Sequence, residues 1–243
     1  MTAKKVAILQ SCYIPWKGFF DLMRRVDEFI LYDDAQYTRR DWRNRNRIKT
    51  PNGPLWLTVP VEVKGKYLEA IKDMRVSDPR WSERHWRSIQ ASYSRAPYFN
   101  MHKAALEALY RGCTTEWLSE INFRFISHIC ETLSIRTTLK WSMDYTMPEG
   151  RTERLVGLCR QAGATEYLSG PAARAYIDPS LFEAAGITLT YMDYDGYPPY
   201  TQLHPPFDHH VSIIDLMVHV GPDALAYMLP QTVATETGPT VSS

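Results

Sequence analysis

Membrane spans, disulfide frames and glycine-rich phosphate loops are all missing from this 243-residue chain. No run of about 18 apolar residues occurs, so no segment is long enough for a transmembrane helix. The opening MTAKKVAILQSCYIPW has too short an apolar run for a signal peptide. The four cysteines, Cys12, Cys113, Cys130 and Cys159, are scattered without a Cys-x-x-Cys pair. That excludes a zinc ribbon or disulfide frame and fits reduced thiols in a cytoplasmic protein. Net charge is scarce too, since 28 basic side chains against 27 acidic ones leave only +1. A general nucleic-acid binder carries a larger surplus, so any anion site is local. There is no P-loop, no Gly-x-Gly-x-x-Gly, no internal repeat and no low-complexity domain.

What is present is concentrated between Phe29 and Lys49, FILYDDAQYTRRDWRNRNRIK. A short apolar run ends on two adjacent carboxylates, Asp33 and Asp34, and six cations follow: Arg39, Arg40, Arg43, Arg45, Arg47 and Lys49. From Trp42 onward the cations alternate with Asn44, Asn46 and Ile48, the period of a β-strand, which puts Arg43, Arg45, Arg47 and Lys49 on one face. A buried guanidinium row without anions is costly, so that face meets solvent, carboxylates or an anionic ligand. Two readings stay open: a solvated strand paired with Asp33, Asp34 and Asp41, or a site for phosphate, pyrophosphate or carboxylate.

The chain is long enough for one large α/β domain over residues 1–230, with lobes 1–147 and 148–230 meeting at Met147–Gly150, and a disordered polar tail over 231–243. VAILQ at Val6–Gln10 reads as a buried first strand, Phe19–Val26 as a helix and Phe29–Tyr32 as a second strand, a βαβ unit in a mainly parallel sheet. Ligands of such sheets lie beyond the carboxyl ends of the strands, which sets Gln10–Trp16 and Asp33–Tyr37 on one rim. The turn TPNGP predicts an antiparallel hairpin of Trp42–Lys49 with Leu55–Glu62, with Pro60 at an edge. A helical middle segment follows at Trp81–Tyr93, Met101–Arg111 and Thr115–Leu133. Trp81, His85, Trp86, Ile89 and Tyr93 recur at helical spacing and read as core. Later elements are helices at Thr152–Ala162, Leu181–Ala185 and Val211–Val220, and strands at Tyr167–Gly170 and Ile187–Tyr191.

The block QSCYIPWKGFFDLMRRVDEFILYDDAQYTRRDWRNRNRIK resembles the opening of the WbqC-like protein family. The family's form is roughly Q-P-x-Y-x-P-W-x-G-Y-F, then D-x-x-Q-[FY], then W-x-N-R-N-[RK]-I. The likeness continues through WLTVPV, YLSG and VSIIDLMVHVG. Ser11 stands where the family usually has Pro, and His219 where Asn is common. The resemblance implies a biosynthetic transferase in surface-glycan or specialised-metabolite gene clusters, attaching an acyl or aminoacyl group such as glycyl to an amino sugar or similar amine. Carried over, its motif positions are Gln10, Tyr13, Pro15, Trp16, Gly18, Asp33, Asp34, Gln36, Trp42, Asn44, Arg45, Asn46, Arg47, Ser169, Gly170, Gln202 and Asp215.

Amide formation needs an activated acyl donor, a deprotonated amine and stabilisation of an oxyanion. Asp33 or Asp34 is the candidate proton acceptor, with Asp215 a third candidate catalytic carboxylate. Arg45 and Arg47 are candidates for holding a donor phosphate or carboxylate. Asn44 and Asn46 face the other side of a regular strand. Asp215, among Ile213, Ile214 and Leu216, is either functional or paired, with a hairpin arginine as the expected partner. Cys12 reads as an incidental thiol sooner than a nucleophile, and His204, Asp208, His209 and His210 as a solvated loop or substrate contacts sooner than a metal site. No cofactor is named by these residues. ATP-activating synthetase folds carry His-x-Gly-His after the first strand, where this chain reads YIPWKG. The expected partner is an anionic small molecule, such as a nucleotide-sugar or activated acyl donor. The alternatives are a non-catalytic nucleotide-sugar or glycan binder using Tyr13, Trp16 and Trp42, and a transferase drawing on aminoacyl-tRNA.

Overall fold

Val6, Ala7 and Ile8 are buried in β1 (Lys5–Leu9), as an apolar run must be when helices cover both faces of a parallel sheet. The computed structural model describes residues 3–66 and 68–229; the expected tail at 231–243 lies outside them. β1 pairs in parallel with β2 (Glu28–Leu31) on one side and β6 (Glu166–Ser169) on the other. β5 (Thr138–Trp141) continues beyond β2, and β7 (Thr188–Tyr191) beyond β6. The order β5-β2-β1-β6-β7 grows outward from β1 in one direction and then in the other. It reverses between β1 and β6, the position at which doubly wound sheets take their ligands. Residues on both sides of the expected 147/148 hinge thus share one sheet.

Successive residues of each strand feed different cores. Ala7, Phe29 and Leu31 pack with α1 (Lys17–Met23), α4 (Leu118–Thr132) and α7 (Ile213–Val220). Val6, Ile8 and Ile30 pack with α5 (Arg151–Gln161) and α6 (Pro179–Ala184). A third core forms a cap at the C-terminal rim, where the hairpin meets α2 (Trp81–Tyr93), α3 (Phe99–Arg111) and the loop residues Tyr13 and Ile14. Trp81, Trp86, Ile89 and Tyr93 are buried there, as their spacing predicts.

The hairpin forms, with strand bounds different from those expected. Its strands are β3 (Arg45–Thr50) and β4 (Gly53–Thr58), paired from Arg45↔Thr58 to Thr50↔Gly53. The turn is only Pro51-Asn52, closed by Gly53 at φ +100°, a conformation that L side chains rarely adopt. Pro60 has no N–H to extend the ladder, and Trp42 to Asn44 leave it to meet the β1 loop. β5 was not anticipated: it is short, and its residues are exposed or half-buried.

Candidate functional site

Residues 11–16, which follow β1, are held in place by the segment Trp42–Asn46 and by the start of α7. The Tyr13 N–H donates to the Trp42 carbonyl at 3.1 Å and the Ile213 N–H to the Pro15 carbonyl at 2.9 Å. The buried Asn46 amide donates to the Tyr13 and Ile14 carbonyls at 3.3 and 2.9 Å. Ile14 sits at φ 37°, where a β-branched residue is strained unless its surroundings over-determine it. Asn46 supplies that constraint, and Asn44 does similar work on the Val59 carbonyl at 2.8 Å. Both asparagines are buried, alternating with half-buried Arg45 and Arg47 and on the other side from them as expected, and both are engaged with backbone.

The loop so held forms one wall of a cavity of about 240 Å³, lined by Leu9, Cys12, Pro15, Trp16, Phe19, Trp42, Arg43, Asn46 and His210. Trp16 stacks on His210 with centroids 5.6 Å apart. A Cβ at Gly18 would come 2.2 Å from the Trp16 ring, so only glycine lets the indole lie there. Arg43 is the cavity's guanidinium. One of its terminal nitrogens donates to the Gln10 and Ser11 carbonyls at 3.2 and 3.4 Å and lies 3.0 Å from the Cys12 sulfur, while Nε finds no hydrogen-bond partner. Burial pushes the Cys12 thiol up to about 11 despite the Arg43 charge, which leaves it a poor nucleophile near neutrality.

The basic row does not share one environment. Arg45 lies over the Trp56 ring at 4.2 Å. Arg47 donates to the His210 carbonyl at 2.8 Å and lies 3.5 Å from Asp208. Lys49 is buried, held by Gln202 at 2.8 Å and by the Pro206 carbonyl. Only Arg43 reaches the strand tip.

The two aspartates diverge, because adjacent side chains at a strand end point to opposite sides. Asp33 is fully buried and accepts from the Ser11 N–H at 2.9 Å and the Ser119 hydroxyl. Asn122 joins this network, donating to Ser11 Oγ at 2.8 Å and the Arg43 carbonyl at 2.9 Å. Burial raises the Asp33 carboxyl, against the hydrogen bonds from Ser119 and Ser11. Asp34 turns outward to Lys72 at 2.5 Å and to the Ser142 hydroxyl at 2.7 Å. Lys72 lines a second cleft of about 350 Å³ with Trp117, Ser119, Glu120 and Trp141. Asp33→Ala is therefore expected to cost about 2–3 kcal/mol by orphaning buried donors. Asp34→Ala, losing a partly exposed pair, is expected to cost under about 1 kcal/mol. Urea midpoints measure both, and equal losses would contradict this division of roles.

Other candidates lie apart from the cavity. Tyr13 is core, its hydroxyl 2.9 Å from both His85 and Tyr110, and is no stacking surface. Asp215 has no arginine partner; it accepts from Tyr93 and Tyr200 at 2.8 Å and from Gln202 at 2.9 Å. A fully buried site suits neutral hydroxyl donors better than a bulky guanidinium. Ser169 is buried at the end of β6 with Gly170 after it, beside β1 across the order reversal, and Gln36 is exposed on the rim. His204 is taken up by the Ser92 carbonyl at 3.0 Å, and among the described residues no three His, Cys, Asp or Glu side chains cluster as metal ligands. No helix among them is long and apolar enough to cross a membrane.

The WbqC-like protein family model matches residues 10–227. The chain belongs to the WbqC-like family. An uncharacterized protein of Mycobacterium tuberculosis is 49% identical over 225 residues, covering 93% of this chain and 97% of that one. No solved structure matches. In this WbqC-like protein the motif residues do two kinds of work. Asn44, Asn46 and Gly18 shape the wall, while Trp16, Trp42 and, through His210, Arg47 border the cavity. Among the cavity residues that motif matching passed over are Arg43 and His210. Arg43 was visible as part of the basic alternation, and His210 as one of the histidines of the 204–210 loop.

Proposed function

We propose that this WbqC-like protein is a cytoplasmic biosynthetic transferase that forms an N-acyl or aminoacyl amide, such as a glycyl amide, on an amino sugar or other small amine. The supporting observation is a lone guanidinium, Arg43, set among apolar walls beyond the carboxyl end of β1. Leu9, Pro15, Trp16 and Phe19 suit the carbon chain of an acyl group, and Arg43 suits the oxygen on which negative charge develops. In the reaction the amine nitrogen bonds to the acyl carbon. The bond from that carbon to the donor's oxygen or sulfur breaks, and its electron pair leaves with the donor. The amine proton passes to His210, whose Nδ1 lies 3.5 Å from Asp208, leaving Nε2 as acceptor. Asp33 is sealed from solvent and does not fill that role.

The test is turnover by mass spectrometry, offering amino sugars with acyl-CoA, acyl-adenylate or aminoacyl-tRNA. An amide product is expected from one donor class, and His210→Gln is expected to slow it about 100-fold or more with an unchanged melting temperature. Binding without product from any donor would favour the non-catalytic nucleotide-sugar or glycan reading. The tRNA-dependent version draws support from the exposed Arg39 and Arg40 beside Trp42.

A further inference from the structure

Cavities that enclose whole small-molecule ligands measure about 300–1,000 Å³, and the one beyond β1 holds about 240 Å³. A donor whose acyl group enters it must leave its remaining bulk outside. The surface at that exit is unusual. Trp42, a cavity wall, is 40% exposed, and Trp56 on β4 is 41% exposed. Their rings lie 5.4 Å apart at 38°, and the Arg45 guanidinium covers Trp56 at 4.2 Å with Arg47 5.6 Å away. Aromatic rings, guanidinium groups and the cavity mouth are thus already assembled side by side.

Charge on this face is unbalanced. Arg43, Arg45 and Arg47 stand against Asp41, 3.7 Å from Arg43, and Asp208, 3.5 Å from Arg47. Burial pushes the Asp41 carboxyl up, but hydrogen bonds from Thr38 and the Trp42 N–H, with the Arg43 charge, outweigh it and hold the carboxyl below its usual range. Asp41 is therefore ionised and already engaged. The Nε atoms of Arg43, Arg45 and Arg47 are buried and make no hydrogen bond in the protein, with Arg43 Nε 3.7 Å from Asp41. None of the three guanidiniums is fixed in a two-pronged carboxylate pair, so the row keeps capacity for an incoming anion.

We infer that the donor is carried on a nucleoside phosphate, its base stacked on the Trp42–Trp56 pair and its phosphate met by Arg45 and Arg47. A bare phosphate would use the arginines and leave both indoles in water. A plain sugar would use the indoles and leave the cations unmatched. A nucleoside phosphate satisfies both, since bases stack on aromatic side chains whatever their identity while arginine forks take the phosphate. The inference rests on the reading of the Arg43 cavity as the acyl-donor site, and it names what the donor's outer half is.

The test is calorimetric titration with ADP, UDP, GDP and CDP against inorganic pyrophosphate, on the wild-type chain and on Trp42→Ala, Trp56→Ala and Trp56→Phe. At least one nucleoside diphosphate is expected to bind about tenfold or more tighter than pyrophosphate. Both alanine variants are expected to erase that advantage, Trp42→Ala with pyrophosphate affinity unchanged, while Trp56→Phe, which keeps a ring under Arg45, is expected to keep most of it. Nucleotides binding no tighter than pyrophosphate, or alanine variants that keep the advantage, would overturn the inference. So would a single-stranded RNA of about eight nucleotides binding over 100-fold tighter with a steep salt dependence, which would assign the surface to nucleic acid. Pyrophosphate affinity and amide turnover are read separately, so failure of the stacking claim is distinguishable from failure of the transferase reading.

Discussion

Asp215→Ala is expected to lower the unfolding free energy by about 3–5 kcal/mol, a fall of roughly 10 °C or more in melting temperature for a chain of this size. The carboxylate is fully buried, with Tyr93 donating to one oxygen and Tyr200 and Gln202 to the other. Gln202 in turn accepts from Lys49 at 2.8 Å, and Lys49 is itself nearly sealed from water. Burial lowers the Lys49 ammonium, while Asp215 and Asp208 act to hold its charge. Removing Asp215 leaves two buried tyrosine O–H donors without an acceptor and a buried cation short of a compensating charge. Asp215→Asn, which keeps one acceptor, should cost about half as much. Adding Lys49→Met to the alanine variant should recover part of the loss, because removing both members of a buried pair is cheaper than removing one. Urea unfolding measures all of these, and a loss below about 1 kcal/mol for Asp215→Ala would dismiss the carboxylate as a keystone of the 202–208 loop. That loop carries Asp208, so its integrity governs where Arg47 and His210 sit beside the cavity.

How far the sequence revealed this arrangement depended on range. The buried β1 run and the helix at Trp81–Tyr93 were legible because their periodicity is local and strong. β5 was not, since TLKW is half-exposed and short and is held by pairing with β2. The alternation RNRNRIK announced a hairpin, but it closes at Gly53 at positive φ, with a turn three residues tighter than expected. Adjacent Asp33 and Asp34 looked like one acidic tip. Their separation into a buried network and an outer ion pair depends on Ser119 and Ser142, far along the chain. Arg47 and His210 meet across 163 residues, a distance over which no pattern operates. The parallel sheet and the basic hairpin were therefore readable in advance, and the cavity only in part, through Trp16, Trp42 and Asn46.

Arg43→Lys is the second large effect, expected to fall on the donor and not on the fold. Donor affinity or turnover should drop about 10- to 100-fold, the loss of one or two charge-assisted hydrogen bonds, with melting temperature little changed. Lysine keeps a positive charge able to reach the Gln10 or Ser11 carbonyl, so the brace on the β1 end survives. What it loses is the planar fork whose Nε is shielded from water and unpaired, with Asp41 no closer than 3.7 Å. Asp41 is then an internal competitor for the same guanidinium, and Asp41→Asn should move donor affinity the opposite way, upward by a few-fold. Opposite shifts in the two variants would tie the effect to anion recognition at this guanidinium. Wild-type turnover in Arg43→Lys would mean that the side chain serves only to fasten the loop after β1, and the donor would then have to be sought at the Lys72 cleft on the other side of Asp33.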